Sequence, residues 1–319
     1  MESSTDVTVI LVSYNTEALL PEVLDALDKA SEGYSLQIVV IDNNSKDSSV
    51  ALLRRDFPQC ELIVNAVNVG FGRANNQALE RAKGRYVLLL NTDAFVSSDT
   101  LRKTIAYMDR HERCGILGVR LVSRDGTAQP SARNFPTPWN VFLKRTGLNR
   151  LFPHARMIDD TRWDYASVKT CDWVPGCYYL VRKAVIDQIG LFDSRFFLYC
   201  EEVDHCFAAK KAGWEVACLP DTTVIHIGGE SAKSEGPISR NGHQLEALRI
   251  ESELLFFRKN YGLVPALAGL VLSIAAEVII VIKRALTLRF PLGLPSCWNH
   301  ARVTLWLCMR TRLGGQPTR

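Results

Sequence analysis

The sequence predicts an α/β fold, with helices on both faces of a mostly parallel, twisted sheet. Short apolar runs rich in Val, Ile and Leu alternate with amphipathic segments through the first third of the 319 residues. The runs are continuously apolar, which is typical of parallel strands buried on both faces. Polar clusters directly follow three of these runs, at the strand ends where open α/β sheets bind ligands. The pattern therefore predicts a ligand-binding α/β domain.

Four strand and helix pairs follow one another in this region. The predicted strands are Val7–Val12, Gln37–Ile41, Leu62–Val64 and Tyr86–Leu90. The predicted helices, one after each strand, are Leu19–Ala30, Ser48–Asp56, Ala74–Ala82 and Thr100–His111. Strands that alternate with helices in this way are typical of a parallel sheet.

The second half of the chain is less regular. Residues 124–170 contain four prolines and several aromatic residues, which predicts a loop-rich connection that forms part of the acceptor side. Regular structure is expected again at Trp173–Val181, followed by a helix at Lys183–Ile189. A second helix is expected from about Glu201 to Ala212, because Gly213 is a typical helix end.

A long apolar segment, Leu263–Ile282, contains a single charged residue, Glu277, and is long enough to span a bilayer. Basic residues flank it on both sides, so charge asymmetry assigns no orientation and an interfacial helix fits as well as a span. A buried core helix is the remaining alternative. The sequence thus predicts a C-terminal helical segment that is associated with a membrane.

Charge and cysteine usage exclude several classes of protein. Residues 283–319 carry seven Lys or Arg and no Asp or Glu, against a net charge of +4 for the whole chain, so the rest of the chain is mildly acidic. This imbalance argues against a nucleic-acid-binding protein and predicts an anionic surface as partner of the tail. The nine cysteines include no Cys-x-x-Cys pair, which disfavours a zinc site and is compatible with reduced thiols on the cytoplasmic side.

Three polar clusters are candidates for binding a nucleotide. Asp42 ends a strand and can accept a hydrogen bond from a base or a ribose hydroxyl, although a capped strand-to-helix turn explains it equally well. The loop from Asn68 to Asn76 offers backbone N–H groups beside Arg73, which suits a diphosphate. Asp93 follows a strand directly and can hold Mg²⁺ or Mn²⁺, with a simple turn as the alternative.

Two further groups of residues carry acid–base or metal chemistry. Glu201, Glu202 and Asp204 stand in the first turn of a predicted helix. The helix dipole alone explains acidic residues there, and a general base that faces an acceptor hydroxyl is the functional alternative. His226 lies in an apolar run, where a buried structural histidine and a site residue are both possible.

The order of these motifs resembles that of the family 2 glycosyltransferases with the GT-A fold, especially their rhamnosyltransferase-like branch. The resemblance covers roughly Val7 to Gly229. The motifs that carry it are Val12–Asn15, Asp42–Ser45, Asn68–Phe71, Ala74–Asn76, Leu90–Asp93, Trp173–Gly176, Gly190–Asp193, Arg195–Phe197, Glu201–Asp204 and Ala212–Trp214.

The resemblance implies a role for each candidate residue. Asp93 would bind the divalent cation, with His226 near the metal or the diphosphate. Glu202 would be the catalytic base, with Glu201 and Asp204 supporting the acceptor site. The implied donor-binding residues are Ser13, Asn15, Asp42, Asn44, Asn68, Gly70, Asn75, Asn91 and Asp93.

Two departures from the family pattern matter. Asn91 stands where a full DxD element has its first acid, and Glu202 stands where many relatives have Asp. Metal binding therefore depends on one carboxylate, Asp93, and the base reaches further than an aspartate does.

By resemblance, the chain is expected to be an inverting, metal-dependent glycosyltransferase. The first choice of donor is dTDP-L-rhamnose, and UDP-hexoses, UDP-N-acetylglucosamine and UDP-galactofuranose stay open. The expected acceptor is a lipid-linked or growing glycan of cell-surface polysaccharide biosynthesis, at the cytoplasmic face of the membrane. The competing hypothesis is a non-catalytic nucleotide-sugar-binding regulator. A nucleotidyltransferase and a dinucleotide oxidoreductase are disfavoured, because the sequence lacks the glycine-rich loop that each of them requires.

The sequence also predicts a division of the chain into three parts. Residues 1–123 would form the nucleotide-sugar-binding half and residues 124–260 the acceptor-binding, catalytic half of one GT-A domain. Residues 261–319 would form the hydrophobic and basic membrane-associated tail.

Overall fold

The computed structural model describes residues 5–152, 154–159, 163–228, 243–286 and 294–319. The chain forms two compact units. The first contains Met1–Arg133, Thr161–Ser194 and Glu201–Arg240, and the second contains Asn134–Asp160, Arg195–Cys200 and Asn241–Arg319. The three-part division expected from the sequence stays a prediction.

The first unit is built around a sheet whose main path has the strand order β3-β2-β1-β4-β9-β6-β10-β5. Two short strands extend it, because β7 pairs with β6 and β8 pairs with β10. The ten strands in the described residues are β1 (Val7–Ser13), β2 (Leu36–Asp42), β3 (Glu61–Val64), β4 (Tyr86–Asn91), β5 (Ala94–Val96), β6 (Cys114–Val122), β7 (Ala128–Gln129), β8 (Lys169–Thr170), β9 (Tyr178–Arg182) and β10 (Glu215–His226).

The first four strands pair in parallel, as their continuous apolar runs predict. Their register places the polar residues that follow the apolar runs side by side. Ser13 of β1 is opposite Asp42 of β2, and Val12 is opposite Asn91 of β4. Parallel pairing therefore gathers the predicted nucleotide-binding residues at one edge of the sheet.

The rest of the sheet is mixed. β9 is antiparallel to both of its neighbours, β4 and β6, and β5 is antiparallel to β10. β6 and β10 return to parallel pairing. The predicted α/β fold is confirmed, with parallel pairing among β1, β2, β3 and β4 and between β6 and β10.

All six helices that the sequence predicts for the first unit are present in it. Most begin within a residue or two of the prediction; α3 begins at Phe71 rather than Ala74, since Gly70 adopts φ of 88° and starts the helix early. The helices are α1 (Leu20–Ala30), α2 (Ser49–Asp56), α3 (Phe71–Ala78), α4 (Thr100–Arg110), α6 (Lys183–Ile189) and α7 (Glu201–Lys211), with α5 in the second unit.

The second unit is helical in its described residues. Its helices are α5 (Pro138–Thr146), α8 (His243–Asn260), α9 (Leu263–Leu286) and α10 (Leu294–Arg310). The prediction of a loop-rich connection missed α5. The Thr137 side chain accepts a hydrogen bond from the backbone N–H of Asn140, the Asn140 side chain accepts one from the N–H of Thr137, and Pro138 occupies the first turn. This reciprocal cap stabilises a helix in a segment whose prolines otherwise indicate loops.

One helix in the described residues, α9, is long and apolar enough to cross a membrane. It contains the apolar segment Leu263–Ile282 and continues to Leu286. Only 17% of its most apolar 18-residue window is buried within the chain. The alternative of a buried core helix is therefore disfavoured.

Candidate active site

Asp42 and Ser13 form the base of the candidate nucleotide site. Asp42 is 1% exposed, and its Oδ2 accepts a hydrogen bond from the N–H of Ser45 at 3.0 Å. Within the described part of the chain, its Oδ1 has no hydrogen-bond partner. A buried carboxylate oxygen that lacks a donor is costly, so Asp42 is suited to accept a hydrogen bond from a bound base or ribose. The Ser13 hydroxyl is 3.0 Å from that of Thr16 and is fully buried.

The turns after β1 and β2 are tied to each other. The N–H of Asn15 donates to the Ser45 hydroxyl at 2.9 Å, and the N–H of Lys46 donates to Asn15 Oδ1 at 2.6 Å. Asn15 and Asn44 both have positive φ, 52° and 69°, a conformation that asparagine tolerates better than most residues. These two asparagines therefore shape the turns, and Asn44 Oδ1 accepts a hydrogen bond from Lys46.

A network of asparagine side chains holds the glycine-containing loop in place. Asn43 donates through Nδ2 to Asn68 Oδ1 at 2.8 Å and accepts from the N–H of Val69 at 3.0 Å. Asn68 Oδ1 also accepts from the N–H of Gly70 at 2.9 Å. Asn68 thus organises the loop that leads into α3. The sequence alone does not reveal this structural role.

The asparagines of α3 have different surroundings. Asn76 makes two hydrogen bonds to the backbone of Phe192, at 2.7 and 3.1 Å, and so fixes α3 to the segment before α7. Asn75 is 1% exposed and donates to the carbonyl of Phe71. Its Oδ1 has no partner among the described residues, so Asn75 can accept a hydrogen bond from a bound ligand.

Asp93 and His226 are brought together by strand pairing. β5 begins directly after Asp93 and pairs with the end of β10, with Ala94 opposite His226. His226 Nε2 lies 3.7 Å from Asp93 Oδ1. Asp93 Oδ2 accepts a hydrogen bond from the N–H of Gly228 at 3.1 Å. The pairing of β5 with β10 therefore places the imidazole of His226 beside the carboxylate of Asp93.

Gln129 fixes the orientation of His226. Its Nε2 donates to the carbonyl of His226 at 2.8 Å and to the Ser123 hydroxyl at 2.9 Å. Its Oε1 is therefore the atom that faces His226 Nδ1, at 3.0 Å. An amide oxygen only accepts, so Nδ1 carries the proton and Nε2 keeps its lone pair toward Asp93. Burial lowers the pKa of His226; the charge of Asp93 opposes this and that of Arg133 adds to it, and the net lowering favours the neutral ring.

The chemistry of these side chains fits a divalent cation. Asp93 offers a carboxylate oxygen and His226 offers an imidazole nitrogen oriented by Gln129, the arrangement found around metal-bound histidines. In the described residues, no group of three or more His, Cys, Asp or Glu side chains is placed to hold a metal. A cation bound by two protein ligands would take its remaining ligands from phosphate oxygens and water, as Mg²⁺ does in nucleotide sites.

Glu201 and Glu202 open α7, as predicted. Burial raises the pKa of Glu202, while backbone hydrogen bonds at the helix start and the charge of Arg133 act against the rise. Burial, followed by repulsion from Glu202, raises the pKa of Glu201 well above its ordinary value. In the part of the chain that is described, Oε2 of both residues lacks a hydrogen-bond partner. A buried carboxyl with a raised pKa and a free oxygen is suited to proton transfer.

The backbone before α7 is strained. Tyr199 and Cys200 both have positive φ, 72° and 64°. Each such residue costs on the order of 1–3 kcal/mol and persists only where the surrounding structure enforces it. Nothing in the sequence indicates this turn.

The body of α7 is anchored to the sheet. His205 Nδ1 is 2.8 Å from the Tyr179 hydroxyl of β9, and its Nε2 is 3.1 Å from the carbonyl of Gly190. At the other end, Lys210 pairs with Asp172 at 2.7 Å. Asp204 is buried, 3% exposed, in the same first turn as the two glutamates. These anchors hold the carboxylates of α7 in a fixed position.

Residues 176 and 177 connect the two halves of the candidate site. The carbonyl of Cys177 accepts a hydrogen bond at 3.1 Å from the N–H of Asn91, two residues before Asp93. A Cβ at Gly176 would lie 3.9 Å both from Cβ of Glu202 and from Phe71, the first residue of α3. The end of β4, the start of α3 and Glu202 therefore meet at this segment.

Arg133 is a candidate site residue that the sequence interpretation missed. Its backbone is hydrogen-bonded to that of Trp173, and its guanidinium stacks over the Trp173 ring at 4.9 Å. Its positive charge lowers the pKa values of Glu202 and His226. Arg133 thus acts electrostatically on both halves of the site. Arg133 lies in a loop, more than 40 residues in sequence from both Glu202 and His226, and no local pattern identifies it.

Sequence comparison finds relatives across this part of the chain. A family model described as glycosyl transferase family 2 matches residues 8–164. The N-acetylglucosaminyl-diphospho-decaprenol L-rhamnosyltransferase of Mycobacterium tuberculosis is 27% identical over 236 residues, which cover 68% of this chain and 75% of the relative. The rhamnosyltransferase WbbL of Escherichia coli is 27% identical over 240 residues, covering 72% and 86%.

Structural comparison confirms the GT-A type of the fold. The mannosyltransferase PcManGT of Pyrobaculum calidifontis, solved with GDP-Man and Mn²⁺, superposes with a TM-score of 0.55 at 18% identity and covers 98% of this chain and 88% of its own. Staphylococcus aureus TarS superposes with a TM-score of 0.51 at 16% identity, covering 99% and 93%. At these identities the likeness concerns the fold.

Proposed function

We propose that the chain is a family 2 glycosyltransferase of polysaccharide biosynthesis, as its match to the family model and its relatives support, and that it transfers L-rhamnose from dTDP-L-rhamnose to a lipid-linked or growing glycan. The transfer would invert the anomeric centre and depend on Mg²⁺ or Mn²⁺. The named relatives that use rhamnose, with identities of 27%, support the choice of donor.

One observation carries the proposal. The strand end that leads to Asp93 and its oriented His226 is hydrogen-bonded to Cys177 through the N–H of Asn91, and the adjacent Gly176 lies beside Cβ of Glu202. A donor whose diphosphate is held at Asp93 and whose base reaches Asp42 would present its sugar to Glu202. A non-catalytic regulator needs the donor site alone and gives no reason for a buried, partly unsatisfied glutamate beside it.

The proposed reaction is a single displacement. The acceptor hydroxyl oxygen forms a bond to the anomeric carbon as the bond from that carbon to the donor phosphate oxygen breaks, and the leaving nucleoside diphosphate takes the electron pair. Glu202 accepts the proton of the hydroxyl. A cation held by Asp93 and His226 would neutralise charge on the diphosphate. Holding both reactants in place lowers the entropic part of the barrier.

Arg133 has a defined place in this scheme. Burial raises the pKa of Glu202 and so favours the protonated carboxyl, which cannot act as a base. The guanidinium lowers the pKa of Glu202 and so increases the fraction of ionised base. Gln129 serves the other half of the site, because it keeps the lone pair of His226 Nε2 directed at Asp93.

UDP-sugars are the alternative donors, since the relatives include transferases of other sugars and TarS was solved with UDP-GlcNAc. A hexosyltransferase of Haloferax volcanii, Agl10, is 22% identical over 69% of this chain. The poly(ribitol-phosphate) β-N-acetylglucosaminyltransferase TarS of Staphylococcus aureus is 26% identical over 39% of it. The contacts described at Asp42 suit a pyrimidine base or a ribose and do not distinguish the sugars.

The acceptor is proposed to be attached to a polyprenyl diphosphate at the cytoplasmic face of the membrane. The mycobacterial relative is named for a lipid-linked acceptor, N-acetylglucosaminyl-diphospho-decaprenol. The apolar helix α9 and the basic C-terminal segment of this chain support attachment to the same membrane.

A thermal-shift screen tests the donor assignment. The full chain is heated with Mg²⁺ or Mn²⁺ and one nucleotide sugar at a time. A bound donor at 100 times its Kd stabilises the folded state by about 2.7 kcal/mol, so dTDP-L-rhamnose should raise the melting temperature most. A larger shift with a UDP-sugar would replace the donor. Donor binding without release of nucleoside diphosphate, in the presence of membrane extract, would favour the regulator.

A further inference from the structure

Helix α9 has one continuously exposed apolar face. Val264, Val271 and Val278 are 76%, 64% and 55% exposed, and Leu267 and Ile282 are 41% and 52% exposed. These positions recur at intervals of three, four and seven residues, so they form one stripe along the helix. Solvent exposure of such a row of large aliphatic side chains indicates a surface that is covered by something apolar.

The opposite face of α9 consists of small residues and is packed. Ala266 and Ala276 are fully buried. A Cβ at Gly269 would lie 3.1 Å from the Phe257 ring of α8 and 3.9 Å from Pro138 of α5. The small residues let neighbouring helices approach closely. This face is therefore committed to the chain's own helices.

Polar and charged groups contact the packed face in its middle. Glu277 is 8% exposed at its side chain and pairs with Arg145 of α5. Ser273 Oγ is 3.3 Å from Nε2 of His300 in α10, and His300 also pairs with Glu246 of α8. Arg145, Ser273 and His300 line a cavity of about 40 Å³, a volume that admits a water molecule. Charged and polar groups of α5 and α10 therefore contact the middle of the packed face.

Helix α5 runs alongside the central part of α9. Pro138, at its start, is next to Gly269, while Arg145 pairs with Glu277 and the carbonyl of Thr146 accepts a hydrogen bond from Lys283 at 2.7 Å. Helix α5 has nine residues, about 14 Å, and is too short to span a bilayer. If α9 crossed a membrane, α5 and its charged groups would lie at hydrocarbon depth, where they are strongly disfavoured.

The C-terminal segment that includes the end of α9 is basic, which fits an anionic surface. Residues 283–319 carry seven basic and no acidic residues, and Lys283 and Arg284 lie at the end of α9. Helix α10 exposes Trp306 (51%) and Met309 (73%), with the Arg310 guanidinium over the Trp306 ring at 5.9 Å. Tryptophan and arginine together are typical of segments that lie at the headgroup level of a bilayer.

We propose that α9 lies in the plane of the membrane surface and docks its Val264–Ile282 stripe into one leaflet of an anionic bilayer, without crossing it. The inference refines the membrane attachment given in the proposed function and is independent of the sugar transferred. The packed face, with Glu277 and Ser273, stays in the protein, and the basic residues contact lipid phosphates. Such a helix sinks about 5–10 Å below the headgroups.

A vesicle-binding experiment tests the surface. The full chain is mixed with vesicles of phosphatidylcholine alone or with phosphatidylglycerol added, and the bound fraction is measured by sedimentation. Binding should require phosphatidylglycerol, weaken with salt and fall at least about tenfold in V271E/V278E, while the apolar control V271L/V278L keeps it. Equal binding by V271E/V278E would overturn the proposal. The proposal would also be overturned if the chain bound no vesicles but formed dimers in solution that V271E/V278E separates. The occupant of the stripe would then be a second copy of the chain.

A depth measurement distinguishes an in-plane helix from a span. Single cysteines at 264, 271, 278 and 282 carry a fluorophore that is quenched by lipids spin-labelled at known depths, and a label at 273 reports the packed face. Cys297 is replaced by Ser, since the other eight cysteines are buried. The proposal predicts one shallow depth at the four stripe positions and weak quenching at 273. In a span, positions 264 and 271 would differ by about 10 Å in depth, which would refute it.

The two proposals fail separately. V271E/V278E leaves every residue placed at the candidate active site unchanged, so it should release nucleoside diphosphate at the normal rate with a water-soluble acceptor analogue. Absence of such release from the unaltered chain with every donor would end the proposed function and leave the vesicle result standing. Normal release with no vesicle binding would end the membrane proposal alone.

Discussion

Replacing Glu202 with Gln should separate chemistry from stability. Gln preserves the shape of the side chain and cannot accept the proton, so transfer should fall by about 10²–10⁴-fold. This is a rise in the barrier of about 3–5 kcal/mol. Donor binding should be unchanged, since the proposed donor contacts are at Asp42, Asp93 and His226.

The same substitution should not destabilise the fold. Burial raises the pKa of Glu202 above its ordinary value, so the unfolded chain loses this proton at lower pH than the folded one. The contribution of Glu202 to stability is therefore lost as the pH rises from the ordinary glutamate range through the raised pKa. Gln removes that loss, and Oε2 has no hydrogen bond to forfeit among the described residues. The melting temperature at neutral pH should stay equal or rise.

The assay is release of nucleoside diphosphate with and without acceptor, alongside calorimetric donor binding and thermal melting. Glu215→Gln is the matched control, because Glu215 is 45% exposed and its pair with Arg113 lies on the surface; it should change none of the three readouts. Near-normal transfer by Glu202→Gln would refute the base assignment. A large fall in melting temperature would refute the argument from burial.

Three further perturbations test the neighbouring residues. Gln129→Leu removes the bond that orients His226, so Mn²⁺ affinity in the presence of donor should fall about 10–100-fold, and excess Mn²⁺ should restore transfer; unchanged affinity would dismiss its role. Arg133→Gln should shift the acidic limb of the transfer rate to higher pH, because Arg133 lowers the pKa of Glu202; an unmoved pH profile would contradict this. Arg145→Met leaves Glu277 without its ion partner and should lower the free energy of unfolding by about 2–4 kcal/mol, less than for a fully buried pair because Arg145 is 28% exposed. In thermal melting, the double variant R145M/E277L should recover stability. A normal melting temperature for Arg145→Met would count against the importance of the pair.

The parallel part of the fold could be predicted because its signals are local. Continuous apolar runs identify β1, β2 and β4, and the polar residues at their ends mark the edge where Ser13 and Asp42 meet. The early start of α3 escaped prediction because Gly70 was interpreted as part of a loop. The capping box at Thr137 is visible in the sequence and indicates a helix, but the surrounding prolines indicate a loop, and the loop was predicted.

The site was only partly predictable, because several contacts depend on pairing between distant segments. His226 reaches Asp93 through the antiparallel pairing of β5 with β10, and Gln129 reaches His226 from 97 residues away. Arg133 acts on the site from a loop with no recognisable motif. Asn68 was predicted to bind the donor, and the structure shows its side chain organising the loop. Its role toward the donor stays a prediction.

A crystal structure with a nucleoside diphosphate and Mn²⁺ tests the central claim most directly, because Mn²⁺ is located by its anomalous scattering. The account predicts a single Mn²⁺ ion bound by Asp93, His226 Nε2 and the diphosphate, with the Glu202 carboxylate across the same cleft from the terminal phosphate. A manganese ion bound away from Asp93, or a Glu202 side chain that opens into a separate pocket, would contradict it.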